Sequence, residues 1–205
     1  MTLVLASAST RRQELLKNAG IEFVTCAANV DEIRRAGEGA KEFAERMARE
    51  KAETIRKSNV ETLLATSGTP SELCLGESSA IVLGADTVVV VDDEVLGKPG
   101  DGEDAARMLR LLSGRKHHVI TGVCLLGDGF QEVRSETTTV HFSALTEPEI
   151  MSYVESGESM DKAGAYAIQG MASQWISKIE GDYNNVVGLP VDLVLQMLRE
   201  HGADG

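Results

Sequence analysis

Leu3-Val-Leu-Ala-Ser-Ala-Ser-Thr-Arg-Arg-Gln-Glu-Leu-Leu-Lys-Asn-Ala-Gly20 decides how the chain begins. The apolar run Leu3 to Ala6 predicts a buried strand, and Ser7-Ala8-Ser9 predicts a loop of small polar residues. Thr10 fits a helix N-cap, with Gln13 three residues on completing a capping box. Leu15, Leu16 and Ala19 give that helix an apolar face, and Gly20 fits the position just past its end. A strand therefore feeds a small-residue loop that opens a helix. Such a helix start offers free backbone N–H groups and a positive dipole end, which suit phosphate. Arg11 and Arg12 lie in the first turn, where cations oppose the dipole. That choice favours a task other than helix stability; the plain alternative is a solvated basic helix start.

The rest of the chain alternates between strand and helix. Lys41 to Lys57 reads as a helix, with Ala44, Met47, Ala48 and Ile55 at helical spacing. Ile81 to Val91 is dense in β-branched residues and reads as strand, broken at Gly84-Ala85-Asp86. Asp92-Asp93 turns it back through Glu94-Val95-Leu96. Asp101 caps another helix, with Ala105, Met108, Leu109 and Leu112 inward and Gly114 past its end. Lys116 to Leu126 and Glu132 to Phe142 read as strands joined at Gly127-Asp128-Gly129. Thr146 and Glu149 form a second capping box. Pro190 opens a last helix carrying Leu193, Val194, Met197 and Leu198. Residues 58–80 lack periodicity and read as a long surface loop or insertion. The pattern predicts one α/β domain over residues 1–205 with a mixed sheet, divided into two lobes.

Bulk properties narrow the function. The 205 residues carry a net charge of −12 and a pI near 4.8, against general affinity for nucleic acid or an anionic membrane. An acidic protein that binds a phosphate compound must gather its few cations locally. The three cysteines, Cys26, Cys74 and Cys124, lie far apart without metal-ligand spacing. With no signal-like N-terminus and no membrane-length apolar run, the expectation is a cytosolic protein with reduced thiols.

Asp86 is the sharpest position, because an acid inside an apolar strand is expensive to bury unless paired or metal-bound. Gly84 beside it allows a close approach to the backbone. Lys51 shares the stripe of Met47 and Ile55, so it either snorkels or points into a cleft. Lys98 sits in the rigid Gly97-Lys98-Pro99 loop. Asp31-Glu32 offers carboxylates to a hard cation, or is simply solvated. The Gly/Ala-rich segment Gly157 to Gly170 carries Lys162, Tyr166 and Gln169, whose amide suits a base edge. Ser113-Gly-Arg-Lys116 fits S-x-x-K but ends a helix, and His117-His118 adjoin in a strand, so their rings face opposite ways.

Taken together, LASASTRRQELL, MAREKA around Lys51, LGADTVV around Asp86, EVLGKP around Lys98, DKAGAYAIQG and GDYNNVVGLP resemble the Maf family of nucleotide pyrophosphatases over nearly the whole chain. Ala8 and Thr10 stand where the family's first motif usually has a small residue and proline, and the 58–80 stretch is longer than the family leads one to expect. The resemblance implies a Maf/ITPase-like fold, a mixed twisted sheet in two lobes around a central cleft, commonly as a homodimer. It implies hydrolysis of nucleoside triphosphates to the monophosphate and pyrophosphate with Mg²⁺ or Mn²⁺. The form of the Asp161–Gln169 segment resembles the branch acting on UTP and dTTP. By motif, Asp86 is similar to the family's catalytic acid that activates water, with Lys51 and Lys98 beside it. Arg12, Thr87 and Gln169 match specificity positions, and Ser7, Arg11, Lys51, Lys98 and Lys162 match phosphate-side positions. Glu32 matches a second metal-side carboxylate next to Asp86. The competing expectation is a non-catalytic nucleotide-binding regulator linked to cell division; a purine house-cleaning relative of the same fold ranks behind both.

Overall fold

The computed structural model of the protein describes residues 2–58 and 80–202. The insertion expected at 58–80 lies, apart from its two end residues, outside the described residues. In chain order the elements are β1 (Thr2–Leu5), α1 (Thr10–Asn18), β2 (Phe23–Thr25), α2 (Ala40–Lys57), β3 (Ala80–Val91), β4 (Glu94–Leu96), α3 (Gly102–Leu112), β5 (Lys116–Gly127), β6 (Phe130–Phe142), α4 (Glu147–Glu155), two short 3-10 turns, β7 (Ile176–Glu180), α5 (Tyr183–Val187) and α6 (Val191–Glu200).

The strands form one seven-stranded mixed sheet in the order β2-β1-β3-β5-β6-β7, with β4 also on β3. β1 runs parallel to β2 and β3; the remaining pairs are antiparallel. β3 does not break at Gly84–Asp86 as its sequence led us to expect. It continues in register with β5 through Gly84↔Cys124 and Asp86↔Gly122, because the carboxylate that interrupts the apolar run is neutralised in place. Asp92 and Asp93 both adopt positive φ, as a two-residue hairpin turn requires. The cap of α1 is Ser9 rather than Thr10: Ser9 is extended and its side chain accepts from the Arg12 N–H. Gly20 ends the helix with positive φ, and Glu149 accepts from the Thr146 N–H at 2.7 Å in the second capping box.

β3 organises the core. Ile81, Leu83 and Ala85 point into one apolar cluster with Leu5, Leu16, Leu125 and Met197. Val89 and Val91, on the same face by alternation, point into a second with Leu109, Leu112, Tyr153 and Trp175. These are the two lobes, carried on one continuous sheet, and Thr87 lies between them. The opposite face is covered by α2. A Cβ on Gly84 would stand 2.0 Å from the Ala48 carbonyl oxygen, and one on Gly122 2.4 Å from the Ala44 carbonyl. The close approach that Gly84 permits is thus that of a helix, seated through Ala44, Ala48 and Ala52, rather than of a ligand.

The edge of β3 facing β1 is only partly covered. β1 pairs up to Leu5↔Leu83 and β4 resumes at Val89↔Leu96. Among the described residues, Gly84 to Val88 therefore have no strand partner on that side. The loops that follow β1 and β4 border this gap, and a cleft opens into it.

Gly84→Ala is expected to destabilise the protein by roughly 1–3 kcal/mol or more, the usual range for overpacking, because neither backbone can retreat. Urea unfolding should show a lowered midpoint; a midpoint equal to wild type would contradict the helix-on-sheet contact.

Candidate active site

The cleft has a volume of about 830 Å³ and is lined by the loop after β1, the start of α1, Glu32, Phe43 and Lys51 of α2, the middle of β3, Lys98, residues 160–163, Tyr166 and residues 186–188. Five cations line it (Arg11, Arg12, Lys51, Lys98, Lys162) against three carboxylates (Glu32, Asp86, Asp161). Locally the balance is positive although the chain as a whole carries −12.

Asp86 and Lys51 are the buried centre, 7% and 8% exposed. Lys51 Nζ donates to Asp86 Oδ1 at 2.5 Å and to Glu32 Oε1 at 2.7 Å. The second Glu32 oxygen lies 3.7 Å from Lys98 Nζ. Burial pushes the Asp86 carboxyl above the ordinary carboxylate range, and the charges of Lys51 and Arg12 hold it back only in part. Glu32 goes the other way. Burial raises it, but the hydrogen bond and charge of Lys51, aided by Lys98, leave it below its usual value. Two carboxylates in one site thus differ in proton affinity, one suited to accept a proton and one held ionised.

Arg12 is tied to three segments. Its Nε donates to the Gly188 carbonyl at 2.8 Å, Nη1 to Ser7 Oγ at 3.3 Å and Nη2 to Thr87 Oγ1 at 3.0 Å. Its burial lowers its pKa but leaves a guanidinium charged. Arg12 therefore joins β1, β3 and the segment after α5 across the gap. Arg11 is less confined, with one long bond of 3.5 Å to the Asp161 carbonyl. Lys162 donates to the Glu158 carbonyl at 2.6 Å, and the Lys98 side chain is 58% exposed.

Of the residues singled out in the sequence, Ser7, Arg11, Arg12, Glu32, Lys51, Asp86, Thr87, Lys98 and Lys162 meet in this cleft. Gln169 does not. It is exposed and outside the cleft lining. Tyr153 accepts from the Ala167 N–H at 3.1 Å, and Glu158 accepts from the Met171 N–H at 3.3 Å. Ala167 and Ile168 are buried, so the loop turns Gln169 outward. Of the Asp31–Glu32 pair only Glu32 lines the cleft and meets Lys51. His117 is buried and His118 exposed, as alternation predicts. Ser113 accepts from the Leu145 N–H at 2.7 Å and serves its turn.

The sequence reading passed over Arg46, which is 7% exposed. Its Nε and Nη2 grip both Glu38 oxygens at 2.6 and 2.8 Å, Nη2 also reaches the Ile33 carbonyl at 2.9 Å, and Nη1 donates to Glu50 at 3.1 Å. This clamp fastens the segment carrying Glu32 to α2. The sequence gives little sign of it, because Arg46 lies off the stripe of Ala44, Met47, Ala48 and Ile55 and its burial comes from Glu38, Ile33 and Glu50. The Arg46 hydrogen bonds bring the Glu38 carboxyl down from 4.5 to about 2.

Hard oxygen donors are what Mg²⁺ or Mn²⁺ takes. Glu32 and Asp86 each bind the Lys51 ammonium through one oxygen, which leaves each a second oxygen for an ion. Among the described residues no group of three or more His, Cys, Asp or Glu is placed to hold a metal, so an ion on those second oxygens needs ligands from substrate and water as well. No helix among the described residues is long and apolar enough to cross a membrane.

Comparison with known proteins places the chain in a family. The family profile described as Maf-like protein matches residues 2–201. The chain is 48% identical over 202 residues to a dTTP/UTP pyrophosphatase of Koribacter versatilis (strain Ellin345), covering 98% of this chain and 95% of that one. It is 47% identical over 200 residues to a dTTP/UTP pyrophosphatase of Symbiobacterium thermophilum, covering 98% and 94%. A protein of the same description from Syntrophomonas wolfei is 45% identical over 202 residues, covering 98% and 97%. Among solved structures, the Staphylococcus aureus Ham1 protein covers 98% of this chain at 13% identity with a TM-score of 0.47, too distant to bear on the chemistry.

The depressed Glu38 carboxyl contributes stability that is complete above its unfolded value near 4.5 and is lost as pH falls toward about 2. Glu38→Gln should therefore lower the urea midpoint at pH 7, and the difference from wild type should shrink between these two pH values. A difference that does not change with pH would contradict the ion-pair account.

Proposed function

The chain belongs to the Maf family, and from that premise we propose that it hydrolyses dTTP and UTP to the nucleoside monophosphate and pyrophosphate. The observation that carries the reading is the buried Asp86–Lys51 pair, joined by the more exposed Glu32, in a cleft where cations outnumber carboxylates, within an acidic protein. The dTTP/UTP pyrophosphatases named above, 45–48% identical over nearly the whole chain, support the substrate class.

The residues divide the work. Arg11 and Lys98 are the more exposed cations, and with Lys162 on the cleft wall they suit the β- and γ-phosphates, which carry most of the charge. Glu32 and Asp86 would hold a Mg²⁺ or Mn²⁺ ion, which when bound offsets charge on the α-phosphate and eases deprotonation of water. Asp86, at the centre of the cleft, takes the proton of the attacking water. The water oxygen bonds to the α-phosphorus, and the bond from that phosphorus to the α–β bridging oxygen breaks. Pyrophosphate leaves with the electron pair, its charge met by the lysines and Arg11. Lys51 holds both carboxylates in place and adds positive charge as the transition state forms. A nucleotide-binding regulator without turnover has no need of a buried carboxylate facing a triphosphate's charge, so Asp86 favours the enzyme. Cytosolic location and a homodimer complete the reading on the strength of the family resemblance.

Turnover is tested with purified protein, dTTP, UTP, CTP, ATP and GTP, and Mg²⁺ or Mn²⁺, following pyrophosphate and monophosphate. dTTP and UTP should exceed the purine nucleotides in kcat/KM, and activity should vanish on chelation. Asp86→Asn should lower kcat by about 10²-fold or more, and Lys98→Ala should lower kcat/KM at least about tenfold, equivalent to roughly 1.4 kcal/mol. Lys51→Ala should lower kcat/KM at least as much. Near-wild-type turnover by Asp86→Asn would remove it from catalysis, and absence of turnover by a folded wild type that binds nucleotide would favour the regulator.

A further inference from the structure

Thr87 and Thr121 face each other as a register pair across β3 and β5, with their hydroxyl oxygens 3.0 Å apart. Thr121 is fully buried and donates to the Asn185 carbonyl at 3.2 Å. Asn185 is itself fixed, its amide donating to the Val119 carbonyl and to Thr138 Oγ1, both at 3.0 Å. A threonine hydroxyl has one hydrogen and two lone pairs. The Thr121 hydrogen is engaged on Asn185, so between the two threonines Thr87 is the donor. Its other protein acceptor is the Gly188 carbonyl at 3.4 Å. Arg12 Nη2 donates to Thr87 Oγ1 at 3.0 Å and takes one of its lone pairs. Thr121 at 3.0 Å is the nearer of the two acceptors and holds the Thr87 hydrogen, and what remains for the cleft is an acceptor.

That acceptor borders a particular part of the cleft. Val89 and Val119 follow Thr87 and Thr121 on the same face of the sheet, and Ala163, Tyr166 and Val186 also line the cleft. The Tyr166 hydroxyl is turned away to His117 Nε2 at 2.8 Å, so it presents carbon. This is an apolar slot suited to a flat ring, distinct from the side holding Lys51 and Lys98. Uracil and thymine carry a hydrogen on ring N3. Cytosine at neutral pH has a bare lone pair there, which would meet the Thr87 acceptor with no hydrogen between them.

We propose that Thr121 is a specificity-determining residue: by holding the hydrogen of Thr87 it fixes Thr87 as an acceptor and makes the cleft select pyrimidines that present a ring N–H. The inference rests on the pyrimidine triphosphate reading above and deepens it. Thr121 acts through Thr87, without touching substrate.

The test is kcat/KM for UTP and CTP with wild type, Thr121→Val and Thr121→Ser. Valine keeps the shape but offers no acceptor; only the long 3.4 Å contact to the Gly188 carbonyl then competes for the Thr87 hydrogen, which can turn toward the cleft. The UTP:CTP ratio should fall about fivefold or more, the scale of one net hydrogen bond, chiefly because CTP improves. Serine should restore the wild-type ratio. An unchanged ratio in a folded Thr121→Val would overturn the proposal, as would a Thr121→Ser enzyme that folds but keeps the lowered ratio. Should the valine variant not fold, Thr121→Cys, with a much weaker acceptor, gives the same readout. A wild type that hydrolyses neither nucleotide would overturn the enzyme reading instead, and the two failures are distinguishable.

Discussion

The contact of α2 with the bare backbone of β3 and β5 is the constraint on which the site depends. Helices normally ride on a sheet through side chains; here Gly84 and Gly122 remove them, and Ala44, Ala48 and Ala52 present the helix almost as backbone. This brings a lysine stem down to the sheet. Lys51 then reaches Asp86 and Glu32 directly and compensates the buried Asp86 charge, while Glu32 keeps one edge in the open cleft. Moving the helix outward by the width of a methyl group would separate the ammonium from the carboxylate. Asp86 would then be an uncompensated buried charge in the middle of the longest apolar run of the chain.

The second constraint is an omission. β1 stops at Leu5 and β4 starts only opposite Val89, so the central strand has an open stretch of edge where Asp86 projects to one face and Thr87 to the other. Loops from both ends of the gap supply Ser7 and Lys98, α1 supplies Arg11 and Arg12, and the segment after α4 supplies Lys162. Each lobe has its own apolar cluster, so the residues at the seam are released from core packing and are free for polar work. Arg12 ties the seam by bonding to three chain segments, and Arg46 ties the Glu32 segment to α2. The acidic remainder of the surface leaves the cleft as a local positive region.

Much of this was legible from residues that break local rules. Asp86 in an apolar strand, Lys51 on an inward helical stripe and two arginines at a helix start each have a local cost, and all of them lie at the cleft. What was misread shows why. Thr10 and Ser9 are both good caps and adjacent in sequence; only backbone geometry separates them, and it selects Ser9. Asp86 suggested a broken strand because its partner lies 35 residues away, outside any local window. Gly84 signalled a close approach without saying of what. Arg46 looks like one more charge on a charged helix until its burial is known. Gln169 faces out because Tyr153 and Glu158 pin the backbone around it, a tertiary arrangement with no periodic trace. Thr121 was silent for a similar reason, since its meaning lies in the direction of a hydrogen.

The account turns on water attacking the α-phosphorus beside Asp86. Hydrolysis of UTP in oxygen-18 water, with the products resolved by mass spectrometry, tests this directly. The label should appear once in uridine monophosphate, with the pyrophosphate unlabelled. Label in pyrophosphate, or release of labelled inorganic phosphate with uridine diphosphate, would place the attack elsewhere and contradict the account.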